Sequence, residues 1–282
     1  MKNSKVWFVT GASKGLGHTL VKKLLSNGYR VAATSRTLDS LADAFGERSA
    51  SFLPLQVNLV DNDDVKKAIR QCVDHFGQVD VIVNNAGYSL MGTLEELTDS
   101  EVRDNFEVNV FGSLNVIRNA APFLRKQKSG HIFNIASIGG YDGGYPVFGI
   151  YCATKFAVAG FTEALAEEMK DFGVNVTLVY PGYFRTDFLS SDSVKRAAHP
   201  IQEYKTARES EQIHLNQING NQPNDPGRGV EILIEVSERN SSPLHLFLGR
   251  DAYDVASRKI DIIQNDLQHY EALATSTAIA NL

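Results

Sequence analysis

The chain has 282 residues and a net charge of −5 at neutral pH, which disfavours nucleic acids and anionic membranes as partners. Hydrophobic residues make up 43%, enough for a large core, yet no apolar stretch reaches the roughly 18 residues that span a bilayer. The 2 cysteines are too few for a disulfide framework and the 7 histidines form no ligand-spaced cluster, so we expect a reducing compartment and no metal site.

The N-terminal residues predict a strand, a glycine-rich turn and a helix. Residues 1–5 lead directly into the apolar run Val6–Val9, which leaves no room for a signal peptide, so a cytoplasmic protein is expected. The turn at residues 10–17 has the spacing Thr-Gly-x-x-x-Gly-x-Gly. Glycines in this context let the backbone approach a dinucleotide pyrophosphate, and the helix N-terminus offers unpaired N–H groups. A tight structural connection is the alternative.

Strand and helix patterns continue to alternate along the whole chain. Strands are predicted to begin near Lys5, Arg30, Ser51, Val79, Gly130, Val174 and Leu244, and helices near Gly15, Leu38, Asp61, Ser100, Gly149 and Asp225. This alternation predicts an α/β fold of the Rossmann type, a doubly wound parallel sheet of about seven strands with helices on both faces. No internal repeat, low-complexity run or linker divides the chain, so a single domain over residues 1–282 is expected.

The end of the second predicted strand bears on the choice of dinucleotide. It reads Ala33-Thr34-Ser35-Arg36, without the acidic residue that would bind the ribose hydroxyls of NAD and repel a 2′-phosphate. Arg36 has a planar guanidinium suited to phosphate, and Lys14 adds a second cation at the same corner. Either cation could be an ordinary surface charge, but together with the missing acid they favour NADP(H).

Tyr151 and Lys155 are the most informative pair of residues. They lie four positions apart in a predicted helix and therefore share one face. Free tyrosine has a pKa of about 10, and a neighbouring cation lowers it, which would make the phenol a proton donor and acceptor near neutral pH. Ser137 ends a predicted strand and could hydrogen-bond a substrate oxygen, although a terminal serine is usually a helix cap. The Tyr-x-x-x-Lys spacing alone also occurs by chance on solvated helices.

In this order and spacing, the motifs resemble the compact single-domain branch of the short-chain dehydrogenase/reductase family over about residues 4–249. The resemblance rests on residues 10–17 and 84–87 and on Asn109, Ser137, Tyr151, Lys155, Pro181, Gly182 and Thr186. It implies that Tyr151 donates the proton and that Ser137 stabilises the carbonyl oxygen. It also implies that Lys155 lowers the phenol pKa and binds the nicotinamide ribose, and that Asn109 kinks its helix and holds a water next to Lys155.

The strand ends and the resemblance together identify candidate contacts to NADP(H). They are Gly11, Ser13, Lys14, Gly15, Leu16, Gly17, Ser35, Arg36, Asn58, Leu59, Asn85, Ala86, Gly87, Tyr151, Lys155, Pro181, Gly182, Phe184 and Thr186. Asn58 departs from the family, which usually has aspartate at this position. Its amide oxygen can still accept a hydrogen bond from adenine, so we expect weaker adenine recognition and unchanged chemistry.

Past Thr186 the chain no longer matches the family strongly. Residues 187–224 are polar, and a segment of this length in a compact domain is usually a lid or a disordered loop, here placed over the cleft. Residues 251–282 form an extension with a helical pattern, expected to cap the domain or to join a subunit interface of a homodimer or homotetramer. An apolar substrate pocket is expected from Tyr183, Phe184, Phe188, Leu189 and residues 145–148.

The predicted function is the NADPH-dependent reduction of a ketone or aldehyde to an alcohol. The expected partner is a small carbonyl or alcohol substrate. Within this class, a hydroxysteroid or secondary-alcohol dehydrogenase and a 3-oxoacyl reductase are the alternatives. A dinucleotide sensor that kept the fold without the chemistry should lack Tyr151, Lys155 or Ser137, and all three are present.

Overall fold

The computed structural model describes residues 5–190, 193–277 and 279. Within them, the strands are β1 (Val6–Val9), β2 (Arg30–Ser35), β3 (Phe52–Gln56), β4 (Val81–Asn84), β5 (Ser89–Met91), β6 (Gly130–Ile135), β7 (Val174–Pro181), β8 (Val194–Arg196) and β9 (His245–Leu248). Seven of these form a parallel sheet in the order β3-β2-β1-β4-β6-β7-β9. The strand order reverses between β1 and β4, and in open α/β sheets ligands bind in the crevice at the carboxyl ends of such strands.

Helices cover both faces of this sheet, which confirms the predicted fold class. They are α1 (Gly15–Ser26), α2 (Asp39–Phe45), α3 (Asn62–Phe76), α4 (Asp99–Phe106), α5 (Gly112–Gln127), α6 (Gly149–Lys170), α7 (Lys205–Ile213), α8 (Pro226–Ser237) and α9 (Arg250–Thr275). Short π-helical segments lie at Glu107–Phe111 and His214–Ile218, and 3-10 turns lie at Ile138–Gly140 and Asp187–Leu189.

Strand β1 shows why both faces of the sheet are covered. Val6 and Phe8 pack in a cluster with α3 and α5, whereas Trp7 and Val9 pack on the opposite side with α1 and α8. All four side chains are fully buried. Because successive residues of a strand point to opposite faces, an unbroken apolar run is what a strand between two helix layers requires. Burial of each such side chain contributes roughly 1.5–3 kcal/mol.

A chain of buried amides ties the middle of the sheet to α6. The Asn84 Nδ2 donates to Asn134 Oδ1 at 2.8 Å, and the Asn134 Nδ2 donates to Thr162 Oγ1 at 2.9 Å. Both strand residues and the helix residue are buried. An unpaired amide at such a place would cost about 1–3 kcal/mol, so these bonds specify one position of α6 against β4 and β6.

Residues 187–224 contain more regular structure than their polar sequence indicates. They hold a 3-10 turn, β8, α7 and the π-helical segment His214–Ile218. β8 pairs in parallel with β5, and the Arg208 guanidinium donates two hydrogen bonds to the buried carboxylate of Glu96. The two short strands had no sequence signal, because three residues are too few to show a period.

Helix α9 begins on the body of the protein and then leaves it. Ala252 and Ala256 are buried, whereas every described residue from Ile260 onward is exposed. Apolar side chains such as Leu267 and Leu273 are among the exposed ones. Of the helices in the described part of the chain, none combines the length and apolar character needed to cross a membrane.

His131 on β6 is a buried titratable group that links folding to pH. Its ring stacks on Phe133 with centroids 3.9 Å apart, and its Nε2 bonds Thr177 Oγ1 at 2.9 Å. Burial lowers the pKa of His131 from 6.5 to about 3, with a further contribution from the charge of Lys5. Because the folded pKa lies below the unfolded one, the unfolded chain binds more protons between these values, and stability falls as pH drops below 6.5.

Between pH 7 and 5, His131 should therefore remove about 2 kcal/mol from the free energy of unfolding. Urea unfolding at both pH values measures this, with His131→Gln as the variant. The stability difference between wild type and variant should shrink by about that amount at the lower pH. His269→Gln, made at an exposed position of α9, controls for the substitution itself. A wild-type advantage that is unchanged between the two pH values would contradict the prediction.

Candidate active site

A cavity of about 590 Å³ lies along the carboxyl edge of the sheet. Its wall contains most of the residues predicted for the site, namely Gly11, Ser13, Lys14, Gly15, Leu16, Ser35, Arg36, Asn58, Leu59, Asn85, Ala86, Gly87, Ser137, Tyr151, Lys155, Pro181, Gly182, Phe184 and Thr186. Two predicted residues, Gly17 and Asn109, are buried behind the wall and do not line the cavity. The predicted substrate-pocket residues Tyr145, Phe148, Tyr183, Phe188 and Leu189 share the same wall.

The glycine-rich turn is held tightly against the end of β4. Gly11 and Gly15 have φ angles of +65° and +62°, a region that side chains disfavour. A Cβ at Gly17 would lie 2.4 Å from the Gly11 carbonyl oxygen and 2.5 Å from the Asn85 Nδ2, so the close approach excludes any larger residue. Gly17 thus packs the helix against the turn. The start of α1 at Gly15 has no side-chain cap, which leaves backbone N–H groups for an anionic ligand.

The cations predicted for the 2′-phosphate both lie at this end of the cavity. Ser35 ends β2, and Arg36 follows it with an exposed side chain. Among the described residues, neither Arg36 nor Lys14 forms an ion pair with a carboxylate. The Gln56 Nε2 donates to the Arg36 carbonyl oxygen at 3.0 Å and holds the backbone there. These residues fit a phosphate-bearing cofactor by their charge and by the cradle that the glycines leave open.

Tyr151 and Lys155 lie side by side on the first turns of α6, and both are buried. The Lys155 Nζ is 5.9 Å from the Tyr151 ring centroid and donates to the Ile135 carbonyl oxygen at 2.8 Å. Ser137 lies close to Tyr151, and both side chains flank Gly139. A Cβ added to Gly139 would be 3.5 Å from the Ser137 Oγ and 3.8 Å from the Tyr151 Cε1. The predicted group of three side chains is therefore brought together.

The pKa of Tyr151 shifts in the direction opposite to the one expected from the sequence. Burial raises the Tyr151 pKa, the hydrogen bond with Ser137 lowers it, and burial outweighs that bond. Burial also lowers the Lys155 pKa to about 8. The lysine charge was expected to lower the phenol pKa, whereas desolvation of the buried phenol stabilises its neutral form. The phenol accordingly keeps its proton at neutral pH.

Asn109 lies in the π-helical segment Glu107–Phe111, where the helix widens between α4 and α5. Its Oδ1 accepts from the Tyr88 backbone N–H at 3.0 Å, and its Nδ2 donates to the Tyr88 carbonyl at 3.0 Å and to Thr154 Oγ1 at 3.1 Å. The amide therefore connects the segment after β4 to α6. The kink at Asn109 and the water next to Lys155, both implied by the family resemblance, stay predictions.

The other end of the cavity is largely aromatic. Phe148 and Phe188 flank Tyr151, with ring centroids 6.4 Å and 6.1 Å away. Sequence reasoning missed several residues of this wall, namely Tyr88, Ser89, Ser193, Lys195, His214 and Gln222. Most of them come from the segment after Thr186, whose folding no motif predicts. Cys152 is buried and also contributes to the wall.

Among the described residues, no group of three or more His, Cys, Asp or Glu side chains could hold a metal ion.

Comparison with known proteins agrees with this geometry. Residues 5–197 match the family model described as short chain dehydrogenase. The oxidoreductase BOA17 of Botryotinia fuckeliana (strain B05.10) is 33% identical over 279 residues, which cover 98% of this chain and 100% of that protein. A short-chain dehydrogenase from Streptomyces avermitilis superposes with a TM-score of 0.87 at 30% identity, covering 98% of this chain and 100% of that one. ElxO, solved with NADP bound, gives a TM-score of 0.71 at 26% identity, covering 86% and 96%. This chain thus belongs to the short-chain dehydrogenase/reductase family of oxidoreductases.

Proposed function

We propose that this protein reduces a ketone or aldehyde of moderate size to an alcohol with NADPH. The observation that carries the proposal is the placement of Tyr151, Ser137 and Lys155 in the wall of the cavity that also holds the glycine turn and Arg36. When bound along that turn, NADPH would supply the hydride.

Tyr151 is the proposed proton donor to the carbonyl oxygen. In a reduction the phenol must be protonated before the hydride is transferred. Burial favours this form, because it raises the pKa of Tyr151. The Ser137 Oγ accepts a hydrogen bond from the Gly139 N–H at 3.1 Å, which orients the hydroxyl, and its hydrogen can turn from the Tyr151 oxygen to a bound carbonyl. Donation to the carbonyl oxygen would stabilise the negative charge that develops there.

Lys155 is proposed to hold a positive charge beside the phenol and to bind the nicotinamide ribose. An ammonium has three hydrogens, and the Ile135 carbonyl accepts only one of them. The other two are available to the phenol and to ribose hydroxyls. As the phenol loses its proton, the nearby cation stabilises the phenolate. Asn109 supports this arrangement from behind by fixing the segment after β4 against α6.

The substrate class can be tested by NADPH consumption over ketones, aldehydes, β-ketoesters and steroids. Turnover of simple ketones or aldehydes supports the carbonyl reductase, whereas exclusive turnover of steroids or of β-ketoesters would favour the hydroxysteroid dehydrogenase or the 3-oxoacyl reductase. NADPH binding with no turnover of any compound would favour the dinucleotide sensor. The aromatic wall of the cavity favours apolar substrates.

We infer a single cofactor-binding domain, with residues 187–224 as a gate over the cavity and residues 251–282 as an extension. The exposed apolar side chains of α9 favour a role of this extension in a homodimer or homotetramer.

The gate should become more ordered when cofactor and substrate are both bound, as closing loops do. Amide hydrogen exchange with and without both ligands measures this. The largest gain in protection is expected around Asp187–Leu189 and His214–Ile218, which contribute to the cavity wall, and a smaller gain around α7, which the Arg208–Glu96 pair anchors. Amides of α3 provide the control. Equal protection of the gate in the two states would mean that it is static structure.

A further inference from the structure

Tyr183 and His214 form a polar pair in the apolar end of the cavity. The Tyr183 hydroxyl lies 2.8 Å from the His214 Nε2, and both residues line the cavity together with Tyr151. Around them lie the aromatic rings of Phe148 and Phe188. The Phe148 ring lies between this pair and Tyr151, because its centroid is 4.7 Å from that of His214 and 6.4 Å from that of Tyr151. A substrate whose carbonyl meets Tyr151 would therefore also meet this pair.

Neighbouring groups determine which atom of the pair donates. The His214 Nδ1 is 2.7 Å from the Ser210 carbonyl oxygen, which can only accept, so the proton of the neutral ring lies on Nδ1. The Ser210 hydroxyl does not compete, because it donates to the Pro146 carbonyl at 3.1 Å. Burial lowers the pKa of His214, which keeps the ring neutral at pH 7. The His214 Nε2 is thus an acceptor, and the Tyr183 hydroxyl must donate to it.

This assignment leaves Tyr183 with acceptor capacity only. Its single hydrogen points at His214, while the lone pairs of its oxygen remain for a third group. The backbone of Tyr183 is also fixed in place. Its N–H donates to Asp251 Oδ2 at 2.7 Å, and its carbonyl accepts from the Asn224 side chain at 2.9 Å. Because the hydroxyl is held by His214 and the backbone is held by Asp251 and Asn224, the phenol is preorganised. Little entropy is therefore lost when a ligand binds it.

We propose that the Tyr183 oxygen accepts a hydrogen bond from a hydroxyl group of the substrate, so that the enzyme selects hydroxyketones. This inference rests on the proposed carbonyl reduction and specifies its substrate class. A substrate oxygen without a hydrogen finds no donor in the Tyr183–His214 pair, because the hydrogen of the phenol is already used. Tyr183 is a specificity-determining residue in this scheme, while the chemistry stays with Tyr151.

The test compares hydroxyketones of increasing chain length with their methyl ethers, which keep the oxygen and lose its hydrogen. In wild type with NADPH, kcat/KM should be about tenfold higher for the hydroxyketone than for its methyl ether at the chain length that fits the cavity. This ratio corresponds to one hydrogen bond that contributes about 1.4 kcal/mol. Tyr183→Phe should abolish this ratio. His214→Phe should reduce it several-fold, because the freed phenol hydroxyl can then donate to the ether. Tyr253→Phe removes the same atom from an exposed ring outside the cavity and should leave the ratio unchanged.

Failure of the hydroxyketone selection can be distinguished from failure of the proposed carbonyl reduction. Reduction of both compounds with equal kcat/KM at every chain length would overturn the hydroxyketone selection and leave carbonyl reduction standing. A preference that persists in Tyr183→Phe would also overturn it, since the discrimination would then be steric. Failure of wild type to reduce any ketone would refute the proposed function and the inference with it. Thermal unfolding and NADPH binding show whether each variant is folded. If His214→Phe does not fold, Tyr183→Phe still tests the inference, because it keeps the ring and removes only the hydroxyl.

Discussion

Tyr151→Phe is expected to lower kcat by about 10²–10⁴-fold, the usual contribution of general acid catalysis. The phenol is buried beside Lys155 and next to Ser137, and the variant removes only the oxygen that donates the proton. The ring stays in place between Phe148 and Phe188, so the cavity should keep its shape. Steady-state reduction of the best ketone from the screen is the measurement.

Cofactor binding provides the internal control for this variant. NADPH affinity, followed by the fluorescence of the bound dinucleotide, should change little in Tyr151→Phe because the ring remains. Lys155→Ala should lower both affinity and turnover, since its ammonium serves the ribose as well as the phenol. Near-normal turnover of Tyr151→Phe would refute the proposed proton donor.

The second large effect is expected in the choice of cofactor. A hydrogen bond to a charged group contributes about 1.5–3 kcal/mol, so Arg36 should favour the 2′-phosphate by roughly 10- to 100-fold. We therefore expect kcat/KM to be at least about tenfold higher with NADPH than with NADH. Lys14 should contribute less, because its ammonium is a mobile point charge. The preference should shrink with added salt, since the Arg36 side chain is exposed and its field is screened.

Variants at the end of β2 test this cofactor preference directly. Arg36→Leu should remove most of it, and Ser35→Asp should turn it toward NADH by supplying an acceptor for the ribose hydroxyls. Arg70→Leu removes the same charge from an exposed position of α3 outside the cavity and should leave the ratio of the two kcat/KM values unchanged. A wild-type preference for NADH at low ionic strength would contradict the assignment of Arg36.

Much of the site was predictable because its residues lie at the ends of regular elements. In a parallel sheet the carboxyl ends of all strands meet at one edge, so the strand-terminal positions of Ser35, Asn85 and Ser137 predicted that they would converge. The spacing of Tyr151 and Lys155 needed only the geometry of one helix. Alternating strand and helix patterns were enough for the fold class, since they depend on local period alone.

Burial and contacts between distant segments could not be read from the sequence. The direction of the Tyr151 pKa shift depends on how completely the phenol is desolvated, which local spacing does not reveal. The position of Gly17 behind the cavity wall, rather than in it, depends on the close approach of α1 to the turn and to Asn85. Asn109 could be placed in a helix from the sequence, but its three hydrogen bonds join segments 21 and 45 residues away.

By itself, therefore, the sequence determined the family, the fold class and the identity of the candidate catalytic residues, all of which are encoded in local patterns. The tertiary structure decided the substrate end of the cavity. There, Tyr183 and His214 are 31 residues apart and meet in the wall of the cavity, where the π-helical segment His214–Ile218 contacts the residues that follow β7. No period or spacing specifies such a contact, because an irregular segment takes its path from many weak long-range interactions rather than from its own residue pattern.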